Sequence, residues 1–223
     1  MIPALNAGAS LGRTLATAVE LRPAGLLHEV IVVDAGSSDS TVAIAASAGA
    51  TVLAAPRGRG TQLAAGAAAA TAPWLLFLHA DTTLSAGWVE EVGAFIAAGG
   101  PQPSPAAVFH LRLDDGCASA RRLEKLVAWR TRVLGLPYGD QGLLIAAETY
   151  RSVGGYADIP LMEDVDLVRR LGRQRIVLLR SAAQTSAVRY RKDGYVLRPA
   201  RNLALLALYF CGVSPARLVR LYG

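Results

Sequence analysis

Three places in this 223-residue chain hold carboxylates where chemistry could use them. Asp34 ends the apolar run His28–Asp34, and Asp81 follows the run Trp74–His79. Glu163-Asp164-Val165-Asp166 forms an acidic cluster in an otherwise basic chain. Asp39 and the serines at 37, 38 and 40 supply the caps that the next helix needs. Asp34, at a strand end, is therefore expected to accept hydrogen bonds from a ligand. Asp81 reads equally as a turn residue or a ligand contact. Deprotonating a hydroxyl needs a carboxylate held beside it, and Asp164 is the candidate base. Glu163 and Asp166 should raise its pKa by like charge, against a helix N-terminus pulling it down. A helix dipole alone would also account for the cluster.

Other motifs carry less. His79 lies beside Asp81 and is expected to pack or orient it, while His28 and His110 have no partners at ligand spacing. Gly58-Arg59-Gly60 lacks the tight strand lead-in and the later glycine of a dinucleotide loop. Cys117 and Cys211 have no base nearby, and no CxxC or GxSxG is present, which excludes a disulfide scaffold, a zinc finger and a serine-hydrolase elbow.

The elements that must carry these residues follow from the apolar pattern. Met1–Pro3 reads as the tail of a strand, and almost nothing precedes it, so a frayed sheet edge or a longer native start is expected. Ser10–Leu21 is a helix, His28–Asp34 a strand buried on both faces, and a helix runs to Ala48. Thr51–Ala55 is a strand, Arg59–Thr71 a helix and Trp74–His79 a strand. This alternation predicts an α/β fold with a mostly parallel sheet and helices on both faces. Beyond Asp81 the expected elements are a helix over Gly87–Ala98, a loop over Gly99–Pro105 and a strand over Ala106–Leu113. An Arg-rich helix over Ala118–Leu134, strands over Gly142–Ala146 and Arg175–Leu179, and a helix through Val165–Leu171 come next. Helices over Leu197–Phe210 and Pro215–Leu221 close the chain, and both halves should share one sheet.

Composition bounds the rest. Hydrophobic residues make up 52% and charged residues 18%, enough for a core and contrary to disorder. The net charge is +6, and all basic residues but Lys125 and Lys192 are arginines, which suits carboxylate or phosphate contacts and equally an Arg-biased composition. Without a nucleic-acid module or interleaved aromatics, no nucleic-acid partner is expected. No signal peptide is expected. The longest late apolar run, Leu203–Val213, falls short of the ~20 residues of a membrane span. With Arg198, Arg201, Arg217 and Arg220 around it, this stretch reads as a helix packed on the sheet, a dimer partner, or an interfacial helix meeting anionic lipid.

Taken in order, Ile2-Pro3-Ala4-Leu5-Asn6, Val32-Val33-Asp34-Ala35-Gly36-Ser37-Ser38-Asp39, Leu78-His79-Ala80-Asp81, Val153-Gly154-Gly155-Tyr156 and Met162-Glu163-Asp164-Val165-Asp166 resemble the family 2 glycosyltransferases of GT-A fold over nearly the whole chain. Gly58–Gly66, Tyr138-Gly139-Asp140-Gln141-Gly142 and Gly212–Pro215 resemble a small bacterial subgroup labelled arsenosugar-biosynthesis or carotenoid-type glycosyltransferases. The resemblance implies a single GT-A-like domain. Residues 1–100 would form its nucleotide-binding half and 101–223 its acceptor-binding half, with helices at the C-terminal end. It further implies inverting transfer of a hexosyl group from a nucleotide-diphosphate sugar, expected to be a UDP-sugar, assisted by Mn²⁺ or Mg²⁺. The acceptor would be a small molecule or a lipid, and the location cytoplasmic or peripheral at the inner membrane face.

Residue by residue, the resemblance implies donor contacts from Pro3, Asn6, Asp34, Asp39, Arg59, His79, Asp81 and Arg189. It gives the metal to Asp81, catalysis to Asp164, and acceptor contacts to Asp140, Gln141 and Glu163. His79 stands where the family's DxD has its first acid, leaving one carboxylate for the metal. Two competing readings stay open: a nucleotidyltransferase, disfavoured because Asn6–Ser10 carries no basic residue, and a nucleotide-sugar-binding module whose catalysis has lapsed.

Overall fold

The structure, a computed structural model, describes residues 1–99 and 104–222. Of the loop expected over 99–105, residues 100–103 therefore lie outside the described residues. The first half alternates as its apolar runs predict: β1 (Ile2–Ala4), α1 (Leu11–Val19), β2 (Ile31–Asp34), α2 (Thr41–Ser47), β3 (Thr51–Ala54), α3 (Arg59–Ala69) and β4 (Trp74–Phe77). The second half continues with β5 (Thr83–Leu84), α4 (Trp88–Ala98), β6 (Ala106–Leu113), α5 (Ala118–Leu134), β7 (Leu143–Ala146), α6 (Ala147–Ser152), α7 (Glu163–Leu171) and β8 (Ile176–Thr185). Then come α8 (Val188–Asp193), α9 (Leu197–Phe210) and α10 (Pro215–Tyr222).

β1, β2 and β3 pair in parallel, with Ile2 opposite Val32 and Ile31 opposite Thr51. On its other side β1 meets β4, where the Met1 nitrogen donates to Leu76 O and Leu78 N donates to Met1 O, the slanted pattern of a parallel pair. β1 is thus an interior strand with Ile2 and Ala4 buried, and the frayed edge expected there is not found. The remaining strands run in the order β4-β7-β6-β8-β5, with β6–β8 parallel and the pairs of β7 and β5 antiparallel.

Side chains alternate across this sheet because successive Cβ atoms leave a strand on opposite faces. On one face Ala107 and Phe109 of β6 join Val32, Leu144 and Ala183 under Leu11 and Leu15 of α1 and Trp88 and Val92 of α4. On the other, Ala106 and Val108 join Leu75, Phe77 and Ile145 under Leu63 of α3, Tyr150 of α6 and Leu167 and Leu171 of α7. The first layer mixes residues of the three-stranded and five-stranded ladders, and the Met1 bonds to Leu76 and Leu78 join the two edge to edge, with helices on both faces. Trp88 is the largest fully buried side chain, and its Nε1 donates to Glu20 Oε2 at 2.6 Å. Truncating it to Ala would cost about 3–5 kcal/mol.

Candidate active site

Parallel strands put their carboxyl ends, and the amino ends of the helices that follow them, along one edge of the sheet. Two side-chain clusters occupy that edge. The first ties the loops after β1 and β2 together. Asn6 takes a left-handed backbone, φ 50°, which asparagine tolerates; its amide N donates to Ser37 Oγ and its Oδ1 accepts from Ser38 N at 2.9 Å. Asp39 accepts from Gly8 N, Thr41 N and Thr41 Oγ1, and the Thr41 hydroxyl, then the Gly8 amide, hold its carboxyl below the usual range.

Asp34 corrects a sequence expectation. Asp39 and the serines do not release it from turn-making: it closes its own loop, accepting from Gly36 N, Ser37 N and Ser37 Oγ. That leaves about one of four lone-pair directions for a ligand. Pro3 lies in the β1 ladder opposite Val33. None of Pro3, Asn6, Asp34 and Asp39 lines the cleft described next.

That cleft, about 270 Å³, opens between Arg59 at the start of α3, His79 and Asp81 after β4, Gly139 and Asp140 before β7, the start of α7, Arg189 of α8, and α9. Seven of the sequence-nominated residues meet here: Arg59, His79, Asp81, Asp140, Glu163, Asp164 and Arg189. Asp81 is exposed and makes no hydrogen bond or ion pair among the described residues. Gly60 lets α3 approach: a methyl there would lie 2.4 Å from Ala157 O.

The start of α7 is sharply turned. Met162 sits at φ 68°, which costs a bulky residue about 1–2 kcal/mol, the kind of strain found at working positions. The turn sends Asp164 toward Gly139, whose N–H donates to its Oδ2 at 2.7 Å, and buries Glu163 with 4% of its side chain exposed. Glu163 Oε1 lies 3.5 Å from Arg59 Nη1, an ion-pair distance without hydrogen-bond geometry. Burial, with Asp164 beside it, pushes the Glu163 carboxyl up to about 7 against the opposing pull of Arg59. Glu163 is thus a raised acid at the cleft, beside Asp164. Asp166 does not face the cleft; it pairs with Arg170 at 2.5 Å and accepts from Tyr209.

Two more polar atoms here are sealed from solvent without a partner: His79 Nε2 and Asp140 Oδ1. Burial first, then Arg59 and Arg189, hold the His79 imidazole well below its usual range, so it is neutral at pH 7. Burial raises the Asp140 carboxyl, with Arg130 opposing and Asp164 adding. A methyl on Gly139 would lie 2.8 Å from His79 Nε2, so any side chain there would have to displace the ring.

Gln141 is a further correction. It is fully buried: its Nε2 donates to Phe109 O and its Oε1 accepts from Thr131 Oγ1, both at 2.9 Å, so its amide braces β6 and α5 and does not reach the cleft. Sequence reasoning also missed residues that do reach it. Tyr138 lies under the Arg130 guanidinium, 3.5 Å from its ring centroid. Arg198, Asn202 and Leu205 of α9 line the far wall, and their i, i+4, i+7 spacing was the available signal. Behind the edge, the Gln62 amide donates to Ala4 O and Val33 O at 3.0 and 2.7 Å, satisfying carbonyls where β1 and β2 end.

Among the described residues no group of three or more His, Cys, Asp or Glu side chains converges to enclose a metal ion. One unengaged carboxylate facing a cleft flanked by two arginines suits a different arrangement. A Mg²⁺- or Mn²⁺-like ion held by one carboxylate is completed by substrate phosphate oxygens and water. The donor set therefore fits a cation that arrives with a diphosphate.

No curated protein matches the chain in sequence. Among solved structures, S. aureus TarS superposes with a TM-score of 0.64 at 15% identity, over 83% of this chain and 59% of that one. Mannosyl-3-phosphoglycerate synthase from Rubrobacter xylanophilus gives 0.57 at 19%, over 83% and 63%. Glucosyl-3-phosphoglycerate synthase from Mycobacterium tuberculosis, solved with Mn²⁺, UDP and glucosyl-3-phosphoglycerate, gives 0.54 at 20%, over 83% and 68%. At these identities the likeness is one of fold, the GT-A glycosyltransferase fold. The family model described as glycosyl transferase family 2 matches residues 1–128, more than half of the sequence, and the chain belongs to that family.

Proposed function

We propose that the protein transfers a hexosyl group from a nucleoside-diphosphate sugar to a hydroxyl acceptor, with inversion at the anomeric carbon. The observation that carries this reading is one cleft holding Asp81, Asp164, Arg59 and Arg189 at the carboxyl edge of the sheet. The mycobacterial synthase solved with UDP and Mn²⁺ supports a UDP donor. Residues 1–100 supply the nucleotide half, with the remaining lone pair of Asp34 facing the base and Asn6 and Asp39 holding its loop. Residues 101–223 supply the acceptor half, with Asp140 and Glu163 near the incoming hydroxyl.

Asp164 accepts the acceptor proton as the new glycosidic C–O bond forms and the C1–phosphate bond breaks, and the nucleoside diphosphate leaves. The Gly139 N–H fixes Asp164 for that task. Arg59 and Arg189 lend charge to the departing diphosphate, which arginine's fork of donors suits. Asp81 would hold a Mn²⁺ or Mg²⁺, which when bound neutralises phosphate charge. A panel of nucleotide sugars, each melted with and without Mn²⁺, tests the donor. At about 100 times its dissociation constant the right ligand adds about 2.7 kcal/mol of stability. No shift with any nucleoside diphosphate or its sugars would overturn the reading.

A further inference from the structure

Helix α9 has two unlike faces. Arg198, Asn202 and Leu205 look inward and line the cleft, and Arg198 is buried against Asp193 at 2.6 Å. The outward face carries Leu197, Leu203, Leu208 and Phe210 with alanines between them, and Arg201 is its single charged residue. Leu197 is 74% exposed and Leu203 64%. Val219 and Leu221 of α10 add exposed apolar surface, beside Arg217 and Arg220. A contiguous apolar helix face open to water is costly unless something covers it.

Charge decides what covers it. Asp193 pairs with Arg198 and, at 3.7 Å, with Arg201, whereas residues 194–223 hold no acidic residue and Arg217 and Arg220 of α10 are exposed. A second copy of this face would set Arg217 and Arg220 against their own counterparts, and α9 and α10 carry no carboxylate to pair them. An anionic lipid surface complements both features: acyl chains take the leucines and headgroup phosphates take the arginines. No helix among the described residues is long and apolar enough to cross a bilayer, and the 14 residues of α9 extend only about 21 Å.

We propose that the outward face of α9, with α10, docks the protein flat on an anionic membrane. Because the inner face of the same helix lines the cleft, docking brings the cleft beside the lipid headgroups. A lipid-borne acceptor follows only if the sugar-transfer reading holds; docking itself does not depend on it.

The test is flotation of the full chain with vesicles of phosphatidylcholine, with and without phosphatidylglycerol. The chain should float with the anionic vesicles only, and 0.5 M NaCl should weaken the binding by screening. The double variant Leu197→Glu, Leu203→Glu should remain at the bottom while keeping the parent's melting temperature and its stabilisation by donor. Should that variant fail to fold, the exposed changes Arg217→Ala and Arg220→Ala carry the test, each weakening vesicle binding roughly fivefold. No flotation of the parent chain, or unchanged flotation of the arginine variants, overturns the proposal. So does a dimer that Leu203→Glu dissociates without any vesicle binding.

Discussion

Glu163→Gln should make the protein more stable at alkaline pH and leave it nearly unchanged at pH 4. In the unfolded chain this carboxyl titrates near 4.5, whereas in the fold burial holds it to about 7. Below 4.5 both states are protonated and the group contributes nothing to the pH dependence. Between 4.5 and 7 the folded state keeps a proton that the unfolded state has lost, so stability falls as pH rises through this window. Above 7 the burial of charge is felt in full. At about 1.4 kcal/mol per pH unit, the difference comes to about 3 kcal/mol. The glutamine variant removes the buried charge at nearly constant shape, and Arg59, half exposed, loses only a weak pairing. For a chain of this size 1 kcal/mol is about 2–4 °C in Tm, so the variant should melt roughly 6–12 °C above the parent at pH 8.5. Thermal melts of both proteins from pH 4 to 9, plotted as a difference, read the effect directly. A difference that is flat with pH, or that favours the parent at high pH, would refute the assignment of a buried, raised carboxyl.

The site makes further demands. Asp164→Asn should retain the fold and donor binding but lower turnover by roughly 10²–10⁴, the worth of a positioned base; turnover near the parent's would remove Asp164 from that role. Asp166→Asn should act through stability, because it loses the Arg170 ion pair while its amide oxygen still accepts from Tyr209, and its turnover per folded molecule should stay close to the parent's. In Asp81→Ala, nucleoside diphosphate should still raise the melting temperature, but the extra rise with Mn²⁺ should vanish; a normal metal-dependent rise would put the ion elsewhere. Gln62→Leu removes two buried bonds that tie α3 to the ends of β1 and β2, while Ala4 O keeps its bond from Ala35 N, and should cost about 1–3 kcal/mol in denaturant unfolding.

The parallel half of the fold could be read from composition alone, since β2 and β4 are apolar runs separated by alanine-rich stretches of helix length. What escaped was short or imposed from a distance. β5 has two residues and α8 six, too few for any periodicity, and β8 runs on through Arg180–Thr185, polar and small residues that pairing with β6 and β5 makes a strand. The antiparallel direction of β7 is likewise set by β4 and β6 on either side of it. Within the site, Asp81 and Asp164 were legible because chain order puts them at a strand end and a helix start. The orientation of Gln141 was not, because a single 3-10 turn has no pattern from which to tell inside from outside. Gln62 hides in an alanine-rich helix, and Glu163 owes its raised carboxyl first to burial, which the residues next to it in sequence do not reveal.

The sheet order has a consequence for how the chain is made. β4 is hydrogen-bonded to β1 on one side as soon as both exist, but its other edge waits for β7, where Phe77 meets Leu143. At a synthesis rate of about 5–20 residues per second, that edge of Leu75, Leu76 and Phe77 stays open for several seconds on the ribosome. β6, which emerges after the two-residue β5, closes only on β7 and β8, so it too is bare until they follow. A nascent chain stalled before residue 143 should therefore present two unpaired apolar strands and be a strong client for chaperones, whereas one stalled beyond residue 185 with its exit cleared should not.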